Sequence, residues 1–221
     1  MNKKLKKSIE VAKQQILEAT KAYPLPTQLI KKGTPVCRTQ ESHYPEPMFF
    51  NRNSNTRYGD PQHDIGVCYV AFDDVVAVAE TLQHGQAGLK SPVLQSEIEE
   101  RSLIQLETAR DLVVVDAAAL ARNAGKVLKT IVDSKGQGSR GYAYTQAMSD
   151  VVMRHDANFD GILYPSQVYP ITGSLSGCNL VLFEGRDPQL TNKGKQPLED
   201  VELSTGETVG ELLNRMQVPI E

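Results

Sequence analysis

Cysteine is scarce and unpatterned: the chain carries three, Cys37, Cys68 and Cys178, with no C-x-x-C pair. That excludes a disulfide framework and a zinc ribbon, and it fits reduced thiols in a cytoplasmic protein. Histidine is equally thin. His43, His63, His84 and His155 are scattered, with no H-E-x-x-H or H-x-x-E-H, so no metal is expected. No stretch approaches the ~18–20 apolar residues of a membrane span, and the basic start lacks the apolar core of a secretory signal. The glycines near Gly136–Gly141 have neither G-x-G-x-x-G spacing after a strand nor a G-K-[ST], and no G-x-S-x-G elbow occurs. Membrane proteins, zinc hydrolases, Rossmann dehydrogenases, P-loop proteins and serine hydrolases of the elbow type are all set aside.

What is present describes a globular chain. Its 221 residues are 40% apolar and 23% charged, as expected for one large domain. The net charge of −3 hides an asymmetry: residues 1–32 hold eight lysines against Glu10 and Glu18, a charge of +6, which leaves −9 on the remainder. An acidic body lacks the clustered cations that phosphate-backbone binding needs, so no direct nucleic-acid contact is expected.

Periodicity divides the chain into elements. Leu5, Ile9, Ala12, Ile16 and Ala19 recur at helical spacing over residues 4–22, and Pro24 and Pro26 end that helix. It reads as a basic amphipathic extension, residues 1–32, packed through its apolar stripe. Residues 33–64 read as a long polar loop with a short strand near Pro35–Gln40. Gly66–Phe72 is an apolar, β-branched run, best taken as a buried strand. Asp73 and Asp74 then stand as N-cap candidates for a helix through Val75, Val78, Ala79 and Leu82, which Gly85 stops. Ser102–Thr108 and Leu112–Asp116 read as strands, with an alanine-rich helix to Asn123. Gly136, Gly138 and Gly141 mark a turn, Tyr142–His155 a helix, and Gly161–Tyr164 and Asn179–Phe183 two more strands. Residues 185–210 read mostly as loop before a closing helix at Thr208–Met216. The fold class is α+β, a single domain with short mixed strands and flanking helices. The main domain is placed at residues 33–190, and 191–221 is a C-terminal extension packed on it.

The chemistry-bearing candidates form a quiet set. Arg57 lies in the polar loop, Tyr69 in the first apolar strand, Glu80 in a helix otherwise nearly free of charge, and Ser166 directly after a strand. Singly, each has a bland explanation: a surface arginine, a core tyrosine, a solvated glutamate, a turn serine. Together and in order, Thr56-Arg57-Tyr58, Gly66-Val67-Cys68-Tyr69-Val70-Ala71, Ala77-Val78-Ala79-Glu80 and Asp160-Gly161-Ile162-Leu163-Tyr164-Pro165-Ser166 resemble the motifs of the RES domain. Leu180–Phe183 and Tyr144-Thr145-Gln146 fit the same pattern, and the likeness runs from about Pro35 to Arg186. One departure is that many members carry two glycines and an aromatic around the arginine, where this chain has Asn55-Thr56-Arg57-Tyr58.

The resemblance implies a toxin of the RES–Xre toxin–antitoxin type, similar in fold to ADP-ribosyltransferase toxins, with NAD+ as substrate and no metal. Glu80 is then expected to stabilise the oxocarbenium-like cation formed when the nicotinamide–ribose bond breaks. Arg57 is expected on the pyrophosphate, since a guanidinium is a permanent two-pronged anion partner. Tyr69 is expected near the nicotinamide ribose, and Ser166 on a ribose or amide oxygen or orienting Arg57. Arg38, Tyr58, Tyr144 and Gln146 form a second rank, with Arg38 and Tyr58 as further NAD-binding candidates. An Xre-type helix-turn-helix antitoxin and a homodimer are family expectations. The rival readings are a mono-ADP-ribosyltransferase acting on a protein target, and a non-catalytic binding module of the same fold.

Overall fold

The most continuous apolar runs become the central strands. In the computed structural model, which describes residues 3–53, 56–83, 92–127, 141–169, 173 and 175–221, β6 (Gly161–Pro165) and β7 (Cys178–Phe183) are buried at every position. Strands covered on both faces need such runs rather than alternation. Around them an eight-stranded mixed sheet is ordered β1-β5-β6-β7-β3-β2-β4-β8. The other strands are β1 (Thr27–Ile30), β2 (Pro35–Glu41), β3 (Val67–Ala71), β4 (Arg101–Thr108), β5 (Leu112–Asp116) and β8 (Leu190–Pro197). Only β5 and β6 run parallel; the remaining neighbours are antiparallel. Gly161 is required where β6 meets β7, because a Cβ there would fall 2.1 Å from the Val181 carbonyl oxygen.

The sheet is uneven at one place. β2 pairs with β4 continuously from Pro35–Glu107 to Glu41–Arg101, yet it meets β3 only at Cys37 and Ala71. Beyond that single pair the two strands part, and side chains rather than backbone fill the space between them.

Six helices cover the sheet among the described residues: α1 (Lys3–Ala22), α2 (Asp74–Leu82), α3 (Gln95–Glu99), α4 (Ala117–Asn123), α5 (Ala143–Met153) and α6 (Val209–Arg215). The stripe of α1 seen in the sequence, Leu5, Ile9, Ala12 and Ile16, is buried. It joins one core with Met148 and Val152 of α5 and with Ile162, Val181 and Phe183 of the sheet. Ile16 is fully covered, which stabilises by about 2 kcal/mol. The opposite parity of the same strands, Leu163, Leu180 and Leu182, faces a second core with Leu112 and Val114. A third core joins Val75, Val78 and Leu82 of α2 to Leu212 and Leu213 of α6. All three cysteines are buried and unpaired.

Several expectations need correction. Residues 185–210 are not mostly loop: β8 pairs with β4 from Ser102–Pro197 to Thr108–Leu190. The sheet therefore continues across the boundary placed at residue 190. β8 carries no apolar pattern because it is an edge strand with exposed side chains; Lys193, Lys195 and a bulge opposite Gln105/Leu106 blunt that edge. β1 and α3 had no periodic signal, being four and five residues long. Asp73 is the N-cap residue of α2 but its side chain does not cap it. Its carboxylate accepts from the Gly177 N–H at 2.7 Å, while Asp74 binds Ser204. The closing helix expected at Thr208–Met216 is α6, where Thr208 and Glu211 form a reciprocal capping box. Gly85, Gly136 and Gly138 lie outside the described residues.

An ion chain ties α1 to α5 and to the polar loop. Lys13 reaches Asp150 at 2.5 Å, Arg154 reaches Asp150 at 2.6 Å, and Arg154 reaches Asp60 at 2.8 Å. The Asp60 carboxylate also accepts the backbone N–H groups of Gln62, Asp64 and Ile65. Burial raises its pKa, but Arg154 and these N–H groups outweigh that and hold it below the usual 3.8. A carboxyl depressed in the folded state contributes stability that is complete above its unfolded pKa and lost as pH falls through the folded value. Urea unfolding between about pH 6 and pH 3 should therefore show a steep stability loss below about pH 4. Asp60→Asn should be less stable at neutral pH and shallower in that limb; an unchanged limb would remove Asp60 as its source.

Candidate functional site

The parting of β2 from β3 opens a hollow of about 410 Å3, within the range of small-molecule sites. Arg38, Arg57, Tyr69, Glu80, Tyr164 and Asn179 are among the residues that line it. It draws on β2, β3, β6, β7, α2 and the loop before β3, so residues far apart in sequence converge there.

Glu80 arrives on α2, whose neighbouring positions Val75–Ala79 and Leu82 are all buried. Its Oε1 accepts three hydrogen bonds: from Ser166 Oγ at 2.8 Å, the Gln167 N–H at 3.0 Å and Asn179 Nδ2 at 3.2 Å. Oε2 accepts from none of the described residues. Ser166 is itself fixed, because its Oγ accepts the N–H groups of Val168 and Tyr169. The carboxylate is thus anchored by one oxygen and available through the other.

Arg57 is held by its neighbours instead of a counter-ion. The Tyr69 hydroxyl hydrogen-bonds Thr56 Oγ1 at 2.7 Å and accepts from the Tyr58 N–H at 3.0 Å. Gln146 Nε2 donates to the Thr56 carbonyl at 3.0 Å. The guanidinium lies 5.9 Å from the centre of the Tyr164 ring, a cation–π arrangement. Its Nε is buried without a hydrogen-bond partner, and no carboxylate of the described residues pairs with it. Arg38 repeats this pattern: one terminal nitrogen donates to Cys68 Sγ at 3.0 Å, while its buried Nε has no partner. Two guanidiniums without carboxylate partners in one hollow make an anion-binding surface.

The aromatic groups are neutral. Burial pushes the Tyr69 phenol up to about 12 and the Tyr164 phenol well above its ordinary value. Burial likewise pushes the Cys37 thiol far up, which leaves it a poor nucleophile. Among the described residues no group of three or more His, Cys, Asp or Glu side chains could hold a metal ion.

The structure brings Arg57, Glu80, Tyr69 and Arg38 to the hollow and redistributes the rest. Tyr58 is fully buried beneath it, its ring 4.5 Å from that of Tyr164, so it is a core residue and not a ligand contact. Ser166 Oγ donates to Glu80 and makes no hydrogen bond to Arg57. The Tyr69 hydroxyl is committed to the arginine loop, leaving its ring as the hollow's wall. Tyr144 packs beneath Lys126 outside the hollow, and Gln146 fastens the loop. Asn55 and His84 lie outside the described residues. Asn179 and Tyr164 were not singled out as site residues. The available signal was a polar residue opening the apolar run Asn179–Phe183, since a buried amide must find partners.

Comparison with known proteins places this geometry. The family model of the RES domain matches residues 35–205, a span that includes β8 and so extends beyond the likeness visible in the motifs. No curated protein matches the chain. Among solved structures, a chain of the crystal structure of the M. tuberculosis MbcT–MbcA toxin–antitoxin complex superimposes with a TM-score of 0.57 at 16% identity. The superposition covers 93% of this chain and 97% of that one, a likeness of fold. The family match extends over well more than half of the sequence and over every element that lines the hollow: the protein belongs to the RES domain family.

Proposed function

We propose that this protein is an enzyme that consumes NAD+ by breaking the nicotinamide–ribose bond, and that it acts as the toxin of a toxin–antitoxin pair. One observation carries the enzymatic reading: two guanidiniums without carboxylate partners among the described residues, and a carboxylate whose second oxygen accepts from none of them, share a single hollow. NAD+ presents the matching features, an anionic pyrophosphate and a ribose that becomes cationic at its anomeric carbon. Arg57 and Arg38 take the pyrophosphate. Glu80 Oε2 faces the ribose, Ser166 and Asn179 hold the carboxylate, and the Tyr69 ring closes one wall.

The reaction is heterolytic. The bond from the anomeric carbon to the nicotinamide nitrogen breaks and its electron pair stays on nicotinamide. The ribose cation is stabilised by the fixed charge of Glu80, which needs no reorganisation at the moment of cleavage. Water then adds its oxygen to that carbon and releases a proton, giving ADP-ribose. If a protein side chain replaces water, the same first step yields an ADP-ribosylated target. The toxin reading is supported by family membership and by the fold shared with a chain of a toxin–antitoxin complex. An Xre-type helix-turn-helix antitoxin is the partner it calls for.

Incubation of the purified protein with NAD+, followed by mass spectrometry, should release nicotinamide with free ADP-ribose. A stable ADP-ribose adduct on an added protein would instead support transfer, and intact NAD+ would leave a binding module. Glu80→Gln should lower kcat by about 100-fold or more while KM stays near wild type. Arg57→Ala should do the reverse, raising KM about tenfold. Parallel losses in both parameters for both variants would remove this division of roles.

Ser166→Ala should lower kcat about tenfold with little change in KM, because it loosens Glu80 without touching the anion-binding arginines. A raised KM at unchanged kcat would assign Ser166 to substrate binding instead.

A further inference from the structure

Arg57 is three residues from Asp60, and Asp60 is the carboxylate that shapes the loop between them and β3. Its side chain is fully buried and accepts the N–H groups of Gln62, Asp64 and Ile65 together with Arg154. Arg154 divides itself between the buried Asp60 and Asp150, with a longer contact to exposed Asp64 at 3.4 Å, and Gln62 Nε2 also donates to Asp150 at 3.0 Å. Asp150, only 4% exposed at its side chain, takes its remaining charge partner from α1 in Lys13. Two buried carboxylates are thus balanced by two cations, one of them supplied by the N-terminal helix.

We propose that α1 positions Arg57 through this ion chain, with Lys13 and Asp150 as positioning residues for anion binding in the hollow. As far as it concerns NAD+, the inference rests on the function proposed above. Without Lys13, two buried carboxylates compete for Arg154, and an unbalanced buried charge is costly. Arg154 is drawn to Asp150, its hold on Asp60 weakens, and residues 56–65 loosen around Arg57. A second path reinforces the first. Tyr58, adjacent to Arg57, is fully buried in the same core as Ile9 and Ile16 of α1.

The helix is suited to such control. It pairs with no strand, so it can shift without undoing the sheet, and it lies outside the family-matched segment 35–205. The seam between α1 and the loop is not closely packed: a hollow of about 490 Å3 lies along it, lined in part by Lys13, Gln62, His63 and Asp150. Along that seam the ion chain adds a charged link to the apolar contact that Tyr58 makes with the core of the helix.

The test is Lys13→Met, which keeps the stem and removes the charge. Amide hydrogen exchange of the ligand-free protein should become about tenfold faster over residues 56–65 with β6 and β7 unchanged. KM for NAD+ should rise about fivefold at constant kcat. Lys13→Arg should restore both, and Lys21→Met, whose lysine pairs with exposed Glu18 on its own helix, should change neither. Unchanged exchange over 56–65, or faster exchange spread equally over the strands, overturns the proposal, as does a loss in kcat without a rise in KM. A wild-type protein that leaves NAD+ intact overturns the proposed function, and the exchange measurement then decides this inference alone.

Discussion

Glu80 is gripped at a single oxygen by a hydroxyl, a backbone N–H and a carboxamide, each from chain beyond its own helix. Those three donors come from the two residues that follow β6 and from the start of β7. The two strands are therefore held in register with α2 by a charged group, and the charged group is held in place by the two strands. Hydrogen bonds to an ionised acceptor are stronger than those between neutral groups. Their loss would leave a carboxylate beside an apolar helix face, so fold and site depend on the same contact.

That contact needs a space to serve, and the space comes from a lapse in pairing. A fully zipped β2–β3 ladder would close the sheet over the positions where Arg38 and Tyr69 stand. Because the two backbones pair only at Cys37 and Ala71, side chains of β2 and β3 can border a cavity inside the sheet. The lapse costs backbone hydrogen bonds, and the flanking pairs β2–β4 and β3–β7, regular over their lengths, keep it from spreading.

The sequence made the interior legible and the periphery obscure. Strands such as Gly161–Pro165 and Cys178–Phe183 announce themselves because both of their faces are covered, so burial writes itself into composition. β8 is silent for the opposite reason: Thr191, Asn192 and Lys195 form a strand through backbone pairing to β4, and their exposed side chains carry no trace of it. The site divides along similar lines. Arg57 and Glu80 stand out as charges in unusual settings, and Tyr69 as a polar group in an apolar strand. The direction in which Ser166 spends its hydroxyl depends on a residue 86 positions away in sequence, which spacing cannot encode. Tyr58 resembled a candidate contact only because it stands beside Arg57; three-dimensional packing turns it inward against Tyr164.

Opposite charges within one cavity ordinarily pair and neutralise each other. Here they are kept from doing so by separate fastenings. The arginine loop is tied to Tyr69 and Gln146, and the carboxylate to Ser166 and Asn179, and no ion pair forms between Arg57 and Glu80. Holding the guanidinium apart leaves a buried Nε without a partner, a cost that a protein selected for stability alone would remove. Local conflicts of this kind mark places where binding supplies what the free protein lacks. A ligand that is anionic at one end and becomes cationic at the other satisfies both groups together, which either group alone, paired internally, could not do.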